Sequence, residues 1–333
     1  MDSGEPLGPD RTQLPRGPHP TIGPGSVSMP RWPGPLLGIG GALLALGALV
    51  AGALALDGRI DVEPATTAWL AVVGAAAFAA GLVYSAVRQL RMRRFLAPER
   101  YRGPSVLVLL ALVLVVASVL TAPFGDDAAT LLLGTGELSL AGSVVLLVAT
   151  QAALLLVSWL FVFRPNALAA LPAFPGPDAG RALRLGLGWG VVAWFGASLV
   201  SYGVVVLLEA IGVDAAPQAA EQALGLVEPW LAVLAIVVLA PIAEELFFRG
   251  VVFNAFKRER GRRWAYIGSA ALFAVIHLSL VALVPIFLLG LALAWVYERT
   301  GSLLAPIAMH AVVNGVSVAI ALLVRFEAVP IPV

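Results

Sequence analysis

A chain of 333 residues that is 60% hydrophobic and 12% charged, with a mean hydropathy of +0.93, lies outside the composition of soluble globular proteins and reads as a polytopic membrane protein. The absence of cysteine excludes disulfides, thiolate metal sites and a cysteine nucleophile together. A formal net charge of +1 points to no nucleic-acid partner, so the information lies in where the charges sit along the chain.

Residues 1–33 are rich in Pro, Gly, Ser and Asp and lack apolar periodicity, which predicts a disordered tail. It is not read as a signal peptide, because no A-x-A-like cleavage site and soluble domain follow it. From Pro35 onward, apolar runs near the roughly 20 residues needed to cross a bilayer alternate with short polar loops. About nine spans are predicted, giving an all-α transmembrane bundle. The first five, within 34–228 and of unassigned role, are Leu36–Leu56, Ala68–Val87, Val106–Ala122, Leu138–Phe163 and Leu185–Leu208. The last four, within 229–324, are Pro229–Phe248, Trp264–Leu280, Ala282–Tyr297 and Leu303–Val324, followed by a short tail over 325–333.

Loop charge tests this count independently. Basic residues cluster after the second span (Arg88 to Arg102), after the fourth (Arg164, Arg181, Arg184) and after the sixth (Lys257 to Arg263), and these loops are expected to be cytoplasmic. Acidic residues follow the first (Asp57, Asp61, Glu63), third (Asp126, Asp127, Glu137) and fifth (Glu209, Asp214, Glu221, Glu228). The N-terminus is then cytoplasmic. The strong preference for Arg over Lys suggests a GC-rich bacterial genome, hence a bacterial plasma membrane. No internal repeat is evident, which weighs against a transporter built from inverted halves.

The sixth span carries Glu244, Glu245 and Arg249 within apolar sequence. A charged residue at mid-span costs roughly 2.5–3.5 kcal/mol, so three together require a reason. Glu245 and Arg249 stand four apart on one helical face and are expected to form an ion pair. Glu244, about 100° around the axis, is left to find a partner on another segment. The chain has three histidines; His19 lies in the tail, whereas His277 and His310 fall in apolar spans. Asn314 shares a helical face with His310. Measured from one membrane surface at 1.5 Å per residue, Glu244 and His277 lie about 20 Å deep, His310 about 10 Å and Asn314 about 16 Å, close to one layer.

Two imidazoles, a free carboxylate and an amide shielded from bulk water suit hydrolysis, the acid relaying a proton from water to a leaving amine. Glu244, His277 and His310 equally match the ligand types of a divalent metal such as zinc with an open position. Neither H-E-x-x-H nor G-x-S-x-G is present.

Glu244-Glu245-x-x-x-Arg249, Phe273-x-x-x-His277 and His310-x-x-x-Asn314 resemble, in order and spacing, the three motifs of the CPBP intramembrane proteases, which include the CAAX prenyl endopeptidases. The flanking Pro241-Ile242, Phe248-Arg249-Gly250 and Glu298-Arg299-Thr300-Gly301 are similar too. The resemblance covers about Pro229–Val324 and implies cleavage of a membrane-associated peptide or protein. Glu244 and Glu245 would belong to the catalytic machinery with His277, His310 and Asn314. In that scheme Glu244 activates water, the histidines act as co-catalysts or metal ligands, Asn314 stabilises the oxyanion, and Arg249 serves as structural ion partner. The core is expected to open toward the cytoplasm. Two other classes stay open: a catalytically inactive immunity or scaffold protein, and a proton-coupled transporter whose buried Glu and His form a relay.

Overall fold

The computed structural model describes residues 29–127, 139–168, 173–212 and 227–325. Most of the two expected tails, and the acidic Glu137, Asp214 and Glu221, lie outside these residues. The described chain is helical: α1 (Pro33–Leu56), α2 (Pro64–Arg93), α3 (Val106–Thr121), α4 (Leu140–Ser158, continued by a π turn to Phe163), α5 (Ala179–Ala210), α6 (Pro229–Arg260), α7 (Arg262–Val275), α8 (Leu280–Thr300) and α9 (Leu304–Arg325).

Eight of these helices are long and apolar enough to cross a membrane. The expected seventh span, Trp264–Leu280, is the exception. As α7 it ends at Val275 after 14 residues, about 21 Å, short of a hydrocarbon core of about 30 Å. Leu278 then takes a positive φ of 50°, and Ser279 caps α8, its hydroxyl accepting the Ala282 N–H. Hydropathy runs unbroken through this turn, so composition alone conceals it.

α1 and α2 form a close hairpin that meets the remaining helices chiefly through α3. The core is built by α3 to α9. There, α5 and α9 approach until a Cβ on Gly186 would stand within contact range of the Ala305 carbonyl and the Ala308 side chain. Small residues at such crossings let backbones meet where lipid offers no hydrophobic drive for association. Outward faces stay apolar, with Leu36 and Leu43 more than 60% exposed, as helices immersed in lipid require.

The basic loops converge on one face. Arg93 pairs with Glu259 at 2.6 Å, Arg258 donates to the Glu99 carbonyl, and the Arg102 N–H bonds the Ala167 carbonyl. A bridge joins Ala173 to Ser302, while Glu298, at the end of α8, accepts from Lys257, Arg262 and Tyr266. Four connections, α2–α3, α4–α5, α6–α7 and α8–α9, therefore share a side, as the charge alternation predicts. We call it the Arg-rich face.

Candidate active site

The site begins with a disturbance in α6. Two π-helical turns, Val233–Leu239 and Leu246–Phe253, flank the short α segment Ala240–Glu245. Pro241 explains the first. Proline has no N–H, and its ring collides with the carbonyl four residues back in a regular helix, which a widened turn relieves. The Ala240 N–H reaches five back to the Ala235 carbonyl. In that register the Ile236 carbonyl would take its bond from residue 241, which has none to give. Asn314 Nδ2 on α9 donates to it instead, at 2.9 Å. In the second wide turn, Asn254 Nδ2 donates to the carbonyls of Arg249 and Gly250.

Between these turns stand the two acids. Glu245 and Arg249 are fully buried and paired, with Nη1 3.0 Å from Oε1. The guanidinium also donates from Nη2 to the Gly290 carbonyl on α8 at 3.1 Å and lies 4.6 Å over the Phe273 ring. His310 places Nδ1 2.9 Å from the same Glu245 Oε1. A carboxylate only accepts, so Nδ1 carries the hydrogen and Nε2 is left outside that bond. That nitrogen stands 4.0 Å from Oε2 of Glu244. His310 is thus the off-helix group that faces Glu244, beyond hydrogen-bond distance, and Glu244 Oε2 has no hydrogen-bond partner within the protein.

His277 lies two residues beyond the end of α7, in the turn that follows it, rather than within a span. Its Nδ1 donates to the Phe273 carbonyl at 2.7 Å, satisfying one of the carbonyls that every helix end exposes and freeing its Nε2. Phe273 organises the group. Its ring packs edge-on against His277 at 5.0 Å and His310 at 5.7 Å, beneath the Arg249 guanidinium. The one ring thus touches three side chains of the group, His277, His310 and Arg249.

Glu244, His277, His310 and Asn314 all line a single cavity of about 700 Å³. Glu245 does not reach it and acts on it only through His310, as does Arg249 through Glu245. Much of the far wall comes from α4 and α5, helices given no role from sequence, with Thr150, Gln151, Ser198 and Ser201 among their polar contributions. Nothing in the apolar pattern of those spans marks them out. A fixed imidazole with a free nitrogen beside an unpartnered carboxylate can hold and deprotonate a water molecule.

Among the described residues, no three or more His, Asp or Glu side chains stand close enough together to hold an ion. As placed, Glu244, His277 and His310 do not form a cage for an ion.

Residues 226–316 match the family described as Type II CAAX prenyl endopeptidase Rce1-like. A 144-residue stretch is 31% identical to an Escherichia coli protein named "Uncharacterized 24.3 kDa protein", covering 41% of this chain and 64% of that one. A 77-residue stretch, 23% of this chain, is 30% identical to "Putative membrane peptidase YdiL" of Bacillus subtilis strain 168 and covers 32% of it. A 78-residue stretch, again 23% of this chain, is 30% identical to "UPF0177 protein YxdF" of Lactococcus lactis and covers 42% of it. The chain thus spans less than two thirds of the length of these relatives. No solved structure matches it.

Proposed function

Residues 226–316 belong to the CPBP family in its Rce1-like branch, and from that premise we propose that this multi-pass membrane protein is an endopeptidase acting within the bilayer. Its substrate is a membrane-embedded or membrane-associated peptide or protein, and its setting a bacterial plasma membrane with the N-terminus cytoplasmic. The observation that carries this reading is the unpartnered Glu244 Oε2 held 4.0 Å from the free Nε2 of His310 on the wall of a cavity.

One water molecule can donate a hydrogen bond to each of these atoms and keep a lone pair for the substrate. As its oxygen attacks the peptide carbonyl carbon, Glu244 takes the proton. The tetrahedral intermediate then collapses with cleavage of the C–N bond, the departing nitrogen receives that proton from Glu244, and a carboxyl group and an amine are left as new termini. Glu245 fixes the His310 tautomer and, with Arg249 neutralising it, does so without leaving a net charge in the core. Asn314 has a second amide hydrogen beyond the one given to Ile236 and is the candidate donor to the oxyanion.

The test compares peptides recovered from membranes of cells producing wild-type protein, Glu244→Gln and His310→Ala at equal insertion levels. Fragments specific to wild type are expected, undiminished when membranes are assayed with a strong chelator. Identical fragment sets in all three would overturn the reading in favour of a scaffold. Solute uptake into reconstituted vesicles that follows a proton gradient would favour a transporter.

A further inference from the structure

The cavity is not central. On most of the helices it touches, its lining residues fall in the half remote from the Arg-rich face; α9 lines it along both halves, with His310 and Asn314 in the half nearer that face. α4 contributes Ser143 to Gln151 from its beginning, α5 contributes Trp194 to Ser201 from its second half, and α9 contributes His310 to Ala321. α6 lines it by Ile236, Ala240 and Glu244 and no further, with Val227 just before its start, α8 from Ala282 to Leu289, and α7 only by Phe273 near its end, with His277 just beyond it. Toward the Arg-rich face it is sealed by the Glu245–Arg249 pair and by Phe247, Phe248 and Phe253, all buried. This is opposite to the cytoplasmic opening expected from sequence.

α4 and α5 stand across the cavity from one another and are not packed together along their lengths, whereas each packs on other core helices. Their facing walls are unusually polar for apolar spans. Thr150 and Ser198 are exposed there, Ser201 lies beside them, and Gln151 Oε1 is buried without a hydrogen-bond partner. An unpaired acceptor at this depth is costly unless something donates to it. A peptide segment unwound for cleavage carries main-chain N–H groups that need such acceptors away from water.

Because Arg-rich loops stay on the cytoplasmic side, we infer that the cavity takes an unwound peptide segment from the extracytoplasmic side, with Gln151 and the neighbouring hydroxyls receiving its backbone. The substrate part of this inference rests on the endopeptidase reading; the sidedness does not.

The natural absence of cysteine makes the sidedness directly measurable. Single variants Ser198→Cys and Ser201→Cys probe the cavity, Asp61→Cys the face opposite the Arg-rich loops, and Arg263→Cys the Arg-rich face. Each is expressed as the full chain in cells and treated with a charged, membrane-impermeant maleimide, before or after permeabilisation, with total thiol measured after denaturation. Ser198→Cys, Ser201→Cys and Asp61→Cys are expected to label fully in intact cells with no gain on permeabilisation, while Arg263→Cys labels only afterwards. Cavity cysteines that label together with Arg263→Cys, or that label under neither condition while Asp61→Cys does, would overturn the proposal. Labelling needs no catalysis, so outside access can hold even if Glu244→Gln proves silent. For the substrate contact, Gln151→Leu is expected to raise KM for a peptide identified by the membrane comparison at least tenfold with kcat little changed. An unchanged KM would remove Gln151 from the binding wall.

Discussion

Replacing Arg249 with methionine strikes the centre of this arrangement. The side chains match in length closely enough to keep the space filled, but Glu245 would keep its charge with no counterion, at a position with no solvent exposure. Removing one partner of a buried pair costs about 3–5 kcal/mol, because the survivor stays desolvated. The Gly290 carbonyl also loses its donor, worth about 1 kcal/mol, and Phe273 loses its cation. Equilibrium unfolding in mixed micelles, followed by tryptophan fluorescence, would read the loss. The companion double variant Glu245→Gln/Arg249→Met removes the stranded charge while the amide oxygen still accepts from His310 Nδ1, so it is expected to recover most of the stability. If Arg249→Met lies within about 1 kcal/mol of wild type, or the double variant is no more stable than the single, the ion pair is not what holds this layer together.

Asn314→Leu should destabilise by about 1–3 kcal/mol by stranding the Ile236 carbonyl. Pro241→Ala restores an N–H on α6, so in that background the same substitution should cost measurably less; a strictly additive cycle in micelle unfolding would detach Asn314 from the proline turn. Gly290→Ala would bring a Cβ to 3.0 Å from both Cα and Cβ of Ala270, pushing α7 and α8 apart and moving the carbonyl that Arg249 grips. A loss of about 1–3 kcal/mol, with reduced peptide cleavage, is expected; wild-type stability would show that the α7–α8 contact has slack.

The sequence discloses the site better than the architecture around it. Spacing alone joins Glu245 to Arg249, and the cost of an unmatched acid in lipid points Glu244 toward another helix, where His310 faces it at 4.0 Å without a hydrogen bond. Two acids adjacent in sequence thereby separate into different tasks: Glu245 fixes an imidazole from behind, and Glu244 meets the cavity. The placement of His277 beyond α7 is harder to see, because leucine and valine continue through the turn; only Ser279, three residues before the amide it caps, marks it. The wide turns of α6 have a visible cause in Pro241, but where its orphaned carbonyl finds a donor is a tertiary fact. The polar wall of α4 and α5 is hidden because each serine or glutamine is diluted among apolar neighbours.

The shortness of α7 has a consequence for the surrounding lipid. A rod of about 21 Å beside one of about 31 Å leaves a notch in the protein's flank, bounded by the exposed Leu278. Acyl chains adjoining that flank must tilt or compress to meet it, at a fraction of a kcal/mol per ångström of mismatch. A bilayer meeting it would thin locally, and a neighbouring helix with a short hydrophobic stretch would fit this pinched annulus better than one long enough for the unperturbed membrane.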